Sequence, residues 1–263
     1  MKRYWHLLLN ASLSYALAYL LMVTCHEFGH GLAALLVGQH PIVYGVREND
    51  AAGSQLTIAF IAGAGPVVSL LLGIIFLQIE KHSHLQNIWR QLLLWFGLLS
   101  VVEFFGYLIT PPFPFFASGD ISGVIHALNL PYWTRLVSFV IGFIGIIALG
   151  RLALQRLLLI VDQADSLRPQ LLRTGMFPWL IGTGIILAVF ASSSYATGLV
   201  AVVTAGIFTM LTGYFARGKK AVKSDQSGAL FAGMSAQGTA VVAILLVAMI
   251  IIEQTVLLHG VRL

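Results

Sequence analysis

Leu20-Leu21-Met22-Val23-Thr24-Cys25-His26-Glu27-Phe28-Gly29-His30-Gly31-Leu32-Ala33-Ala34 is the stretch on which the reading of this chain turns. It sets two histidines and a glutamate inside an apolar run. Residues four apart on a helix share a face, so His26 and His30 can offer two imidazoles to one zinc ion. Glu27, beside the first of them, is placed to take a proton from the water that such a metal activates. Chance supplies His-Glu-x-x-His in roughly one chain of this composition in two hundred. Charged groups within a membrane helix cost about 2.5–3.5 kcal/mol each on insertion scales, so three ionisable residues in five positions point to a site. The competing explanation, polar residues paired locally at a helix end, leaves that spacing unaccounted for.

Working outward, the 263-residue chain is 58% hydrophobic and 10% charged, well below the charge content of a soluble domain. Several runs approach or exceed the ~20 apolar residues needed to cross a bilayer. The expected fold is an all-α integral membrane protein of about seven transmembrane helices, over roughly 6–37, 56–79, 88–110, 132–160, 177–193, 196–216 and 238–258. The first run is too long for the apolar core of a cleavable signal and is read as a retained span. The net charge of +5 does not imply nucleic-acid binding, because the basic residues are scattered over short loops. The single cysteine, Cys25, excludes an internal disulfide. Pointing about 100° away from His26, it reads as a small buried thiol.

Between the first two spans, Pro41–Val46 and Ser54–Phe60 flank a polar turn ending at Gly53. They read either as a small β-hairpin, whose edge would hold an extended peptide, or as a plain loop. Further on, Thr110-Pro111-Pro112-Phe113-Pro114 cannot be regular helix and delivers Asp120. Irregular backbone at membrane depth needs protein or a water-filled cavity around it.

Two imidazoles leave a catalytic zinc short of one protein ligand. Asp120 is the preferred third. It follows the broken segment, and an odd number of crossings puts it on the same membrane side as the histidines. Glu103, well inside the third span, is the runner-up ligand or a group that orients one. Glu80 and Glu253 lie at helix ends, where solvation is the ordinary explanation. His126 reads as a structural histidine.

His26-Glu27-Phe28-Gly29-His30-Gly31-Leu32-Ala33-Ala34 resembles the signature helix of the site-2 protease family of intramembrane zinc metalloproteases. Pro111-Pro112-Phe113-Pro114 followed by Ser118-Gly119-Asp120 is similar to that family's proline-rich break and aspartate ligand. Gly65-Pro66-Val67-Val68-Ser69 is similar to its Gly-x-x-x-(Asn/Ser/Gly) motif. The resemblance covers roughly residues 15–128. It departs from the family where Ile121 stands in place of Gly after Asp120 and where no Asn precedes the prolines. It implies a metalloprotease core over 1–130, with 131–263 as additional transmembrane helices of unassigned role. It also implies zinc on His26, His30 and Asp120, with Glu27 as the catalytic base. Gly65 and Ser69 are candidate substrate-binding residues. From the residues themselves, Gly65 allows close helix approach and Ser69 a hydrogen bond across helices.

The expected activity is hydrolysis of a peptide bond in or near a transmembrane segment of a membrane-protein substrate, as in regulated intramembrane proteolysis. Another metal-dependent membrane hydrolase, a membrane zinc carrier and a catalytically inactive membrane scaffold are the alternatives. A homo-oligomer or a regulatory membrane partner would fit the unassigned spans. With seven spans and a cytoplasmic N-terminus, twelve of the 15 Lys and Arg fall inside, leaving Arg47, Arg135 and Arg262 outside. That places the zinc site toward the non-cytoplasmic half, whereas the family resemblance places it nearer the cytosol. The lack of a sorting tail makes a prokaryotic plasma membrane the simplest expectation.

Overall fold

The computed structural model describes residues 2–44, 53–82, 88–114, 119–160, 172–190 and 236–263. Seven α-helices and one two-stranded sheet account for most of these residues. The helices are α1 (Lys2–Leu36), α2 (Gln55–His82), α3 (Ile88–Ile109), α4 (Asp120–Ala127), α5 (Trp133–Ile160), α6 (Phe177–Val189) and α7 (Ala236–Ile252). The strands are β1 (Ile42–Val43) and β2 (Val261–Arg262). One turn of π-helix precedes α6 and another follows α7. Six helical segments are long and apolar enough to cross a membrane: Trp5–Leu36, Gln55–His82, Trp89–Ile109, Trp133–Leu158, Leu172–Val189 and Gln237–Leu257. The expected span at 196–216 lies outside the described residues.

α1 is the central post. At 35 residues it is about 50 Å long, more than the ~30 Å of a hydrocarbon core. Ala11, Ala16, Ala18 and Leu20 along it are completely buried. α2, α3, α6 and α7 all pack against it. The main apolar core runs from Tyr15 on α1 through Trp95, Ile146 and Ile186 to Leu257, so both halves of the chain contribute to it.

Small residues let these apolar helices pack closely. A Cβ at Gly73 would lie 3.0 Å from the Gly97 carbonyl and the Val101 amide, so α2 and α3 touch backbone to backbone. Gly142 and Gly145 on α5 accept the backbone and ring of Phe105 on α3 in the same way. Ser138 Oγ donates to the Leu108 carbonyl at 2.7 Å across that interface.

The expected hairpin over residues 41–60 is not what forms. Its second arm is helix: Ser54 Oγ accepts the Thr57 amide at 3.2 Å, an N-terminal cap, and α2 starts at Gln55. Its first arm does become a strand, but β1 pairs antiparallel with β2 from the far end of the sequence, Ile42 opposite Arg262 and Val43 opposite Val261. The proline-rich break does interrupt the helices, with a turn closed by the Phe113 amide on the Thr110 carbonyl at 3.0 Å.

Glu80 and Glu253 depart from the solvated reading. Glu80 is buried, accepts a hydrogen bond from Arg90 Nε at 2.7 Å and pairs by charge with Arg156 Nη1 at 3.3 Å, so one carboxylate ties α2, α3 and α5 together. Glu253 is buried too and accepts the Thr24 hydroxyl at 2.8 Å. Removing one member of a buried ion pair typically costs about 3–5 kcal/mol, because the partner's charge stays behind. Glu80→Ala is therefore expected to lower the thermal unfolding midpoint of the detergent-solubilised protein markedly. Unchanged unfolding would show that the pair carries no stability.

Candidate metal centre

His26 and His30 stand one turn apart on α1 and point to the same side, their ring centroids 4.8 Å apart. Asp120, the first residue of α4, reaches the same point from another part of the chain. His26 Nε2 lies 2.9 Å from Asp120 Oδ2, His30 Nε2 lies 3.3 Å from it, and the two Nε2 atoms are 3.1 Å apart. Among the described residues this is the one group of three or more such donors close enough to share a metal ion.

α2 explains why the triangle is so tight. α1 and α2 cross where glycine faces glycine: a Cβ on Gly29 would lie 3.2 Å from the Gly65 Cα. A Cβ on Gly65 would collide with the His30 ring and lie 2.8 Å from His26 Nε2. Gly65 thus leaves the notch into which both imidazoles fit. One turn on, Ser69 Oγ lies 3.0 Å from His26 Nδ1. The Ile61 carbonyl lies 2.7 Å from His30 Nδ1, and since a carbonyl only accepts, His30 carries a proton on Nδ1 and turns Nε2 toward the point it shares with Asp120. On the α3 side, the Tyr107 ring stacks on His26, centroids 5.1 Å apart and planes 12° from parallel. Tyr15 and Trp95, also 5.1 Å apart, meet lower on the same two helices with nearly the same offset. That parallel seam holds Tyr107 level with His26.

Asp120 is carried by α4, which lies on α2 with Val124 and Gly123 against Gly63 and Ala62. Burial alone would raise the pKa of its carboxyl. His30 and His26 more than offset that and hold the group well below the usual carboxylate range, so Asp120 is a carboxylate at neutral pH. His26, Glu27 and His30 are each 5% exposed or less, while the Asp120 side chain is 20% exposed. The centre therefore opens toward α4.

Two outward-turned imidazole nitrogens and a carboxylate oxygen form a donor set that a cation completes. Tetrahedral zinc, with bonds of about 2.0–2.1 Å, keeps its ligand atoms roughly 3.3 Å apart. The observed edges, 2.9–3.3 Å, come within a few tenths of an ångström of that. The three donors could hold a metal ion, and their spacing suits one of zinc's size.

The other expected site residues fall as follows. Glu27 is buried on α1 between the two histidines in sequence. Glu103 is buried on α3 but is not one of the grouped donors, which leaves Asp120 as the third. Gly65 and Ser69, expected at the substrate, both lie against imidazoles. Cys25 is half-buried and outside the donor group, and His126 is exposed on α4. Sequence reasoning missed Tyr107 and the Ile61 carbonyl. A tyrosine one turn past Glu103 on an apolar helix was the available signal for the first; a backbone acceptor leaves none. No family model, curated protein or solved structure matches this chain.

Groups that orient a metal-bound histidine typically contribute 10–100-fold to metal affinity. Ser69→Ala is expected to weaken zinc binding by about that factor, read by chelator competition on the purified protein. Gly65→Ala, which drives a methyl into the His30 ring, is expected to weaken it further. Wild-type affinity in both variants would show that α2 does not shape the site.

Proposed function

We propose that this chain is an intramembrane zinc metalloprotease of the site-2 protease type, which hydrolyses a peptide bond in or near a transmembrane segment of another membrane protein. The observation that carries the reading is the convergence of His26, His30 and Asp120 on one buried point, with Glu27 next to the first ligand. The order of the histidine, glycine and aspartate motifs along the chain supports it. So do the six apolar helical segments.

His26, His30 and Asp120 would hold the metal. When bound there, zinc supplies Lewis acidity, polarising a scissile carbonyl and lowering the pKa of water toward ~7. Glu27 accepts the proton of the attacking water on a carboxylate oxygen and passes it to the leaving amine nitrogen. Ser69 and the Ile61 carbonyl keep the two imidazoles in the ligating tautomer and orientation. The bundle around α1 restricts water to the α4 side. A helical substrate hides its amides in internal hydrogen bonds, so it must unwind before attack. The substrate is then an apolar segment that can become extended at this opening.

A zinc carrier would need further donors along a path, and the described residues hold this single group. A cytoplasmic N-terminus is favoured by Lys2 and Arg3 and by the charge count over the loops.

The test separates metal binding from turnover. Detergent-purified protein should contain about one zinc per chain, as expected of a single His₂Asp donor set. His26→Ala and Asp120→Ala should lose it, and Glu103→Ala should retain it. Glu27→Gln should keep the metal and lose cleavage of a transmembrane reporter by a factor on the order of 10²–10⁴, the usual contribution of a general base. Zinc bound without any Glu27-dependent cleavage would favour the carrier or scaffold, and no zinc after metal addition would remove the hydrolase reading.

A further inference from the structure

The strand pairing beside the metal centre joins segments from opposite ends of the sequence. β1 follows α1 within six residues, and its partner is β2, Val261–Arg262. The pairing extends one residue further, with the Leu263 amide donating to the Pro41 carbonyl at 3.0 Å. This is how one peptide adds to the edge of another: main-chain hydrogen bonds hold it, and alternate side chains enter pockets.

The pockets are visible. Gly31 immediately follows the ligand His30, and a Cβ there would meet Val43 Cγ2 at 2.5 Å and Leu263 Cδ1 at 2.8 Å. The side chains of Val43 and Leu263 therefore close over the bare backbone of the metal-binding helix. Val43 is fully buried, Val261 packs against the main core, and Arg262 between Val261 and Leu263 is exposed. The incoming strand thus presents apolar, polar, apolar. Gly260, at φ +82°, turns the chain onto the edge in a conformation that other residues rarely adopt, with Ile42 and Tyr44 packed where its side chain would be. Two-stranded units of this size are marginal on their own, so the hold of this pair on β1 comes from the side chains that flank it.

We propose that β1 is a strand-binding site for an extended peptide with apolar residues at alternate positions, and that residues 261–263 are its resident occupant, displaced when a substrate segment is held. The inference deepens the protease reading, on which its role in cleavage rests. It names the class of substrate segment, apolar-x-apolar and extended, and it makes the 261–263 strand a competitor for the substrate.

The test uses the full chain with Ile42→Cys and Arg262→Cys in a Cys25→Ser background. These two residues lie directly opposite each other, at a separation of about 4.5–5.5 Å that a disulfide spans. Oxidation then locks β2 onto β1, and reduction releases it. The probe is a fluorescent hexapeptide with the sequence of residues 258–263, and a control peptide carries serine at the two apolar positions. The reduced protein is expected to bind the probe saturably and the oxidised protein at least about ten-fold more weakly, with the control bound by neither. Leu263→Asp, which unseats the occupant, should bind the probe more tightly than wild type, its zinc content reporting an intact fold.

Equal probe binding in both redox states, or none to the reduced protein and Leu263→Asp alike, overturns the strand site. Reporter cleavage separates the two claims. Cleavage at the same rate in the locked and unlocked protein overturns the inference and leaves the protease standing. Probe binding that follows the lock, in a zinc-loaded protein that cleaves nothing, upholds the strand site and removes the protease.

Discussion

Everything near the centre of this molecule depends on one constraint: two imidazole nitrogens and a carboxylate oxygen must meet within about 3 Å inside an apolar bundle. Polar groups at that depth are costly unless they satisfy one another. Each neighbouring element can be understood as serving that meeting. α1 supplies both histidines by its own periodicity. α2 gives up a side chain at Gly65 so the rings have room, and offers Ser69 and the Ile61 carbonyl to fix them. α3 braces His26 with the face of Tyr107. α4 begins at Asp120 because the chain has just been broken out of a helix by prolines.

The same economy accounts for the deep burial of the middle of α1. α2, α3, α6 and α7 pack against the helix that carries the two histidines, and both halves of the chain share its core. Backbone-to-backbone contact at Gly73 and Gly97 sets α2 firmly against α3, and two turns further on the buried Glu80 carboxylate adds two arginines from α3 and α5. With Gly65 against Gly29 and Gly63 against Val124 in its first half, α2 is held on both sides of the notch that faces the histidines.

Much of this was legible in the sequence, for physical reasons. The helical repeat makes His26 and His30 neighbours without tertiary information, and counting crossings puts Asp120 on their side of the bundle. The strand pairing was not legible. Two-residue strands have no alternation to read, and Val43 and Val261 are separated by most of the chain. The apolar, β-branched run Leu56–Phe60 was ambiguous between strand and helix, and the cap at Ser54 was the signal that decides for helix. Glu80 misled because a carboxylate at a helix end is normally solvated. Its partners Arg90 and Arg156 were visible only as loop charges, and their meeting is a property of the packed bundle.

X-ray absorption at the zinc edge of the purified protein tests the central claim most directly, because it reads the ligands themselves. The expected result is zinc in a four-coordinate shell of nitrogen and oxygen at about 2.0–2.1 Å, with the multiple-scattering signature of two imidazoles. A sulfur scatterer at about 2.3 Å would put Cys25 on the metal in place of Asp120, and a shell without imidazole would contradict the site altogether.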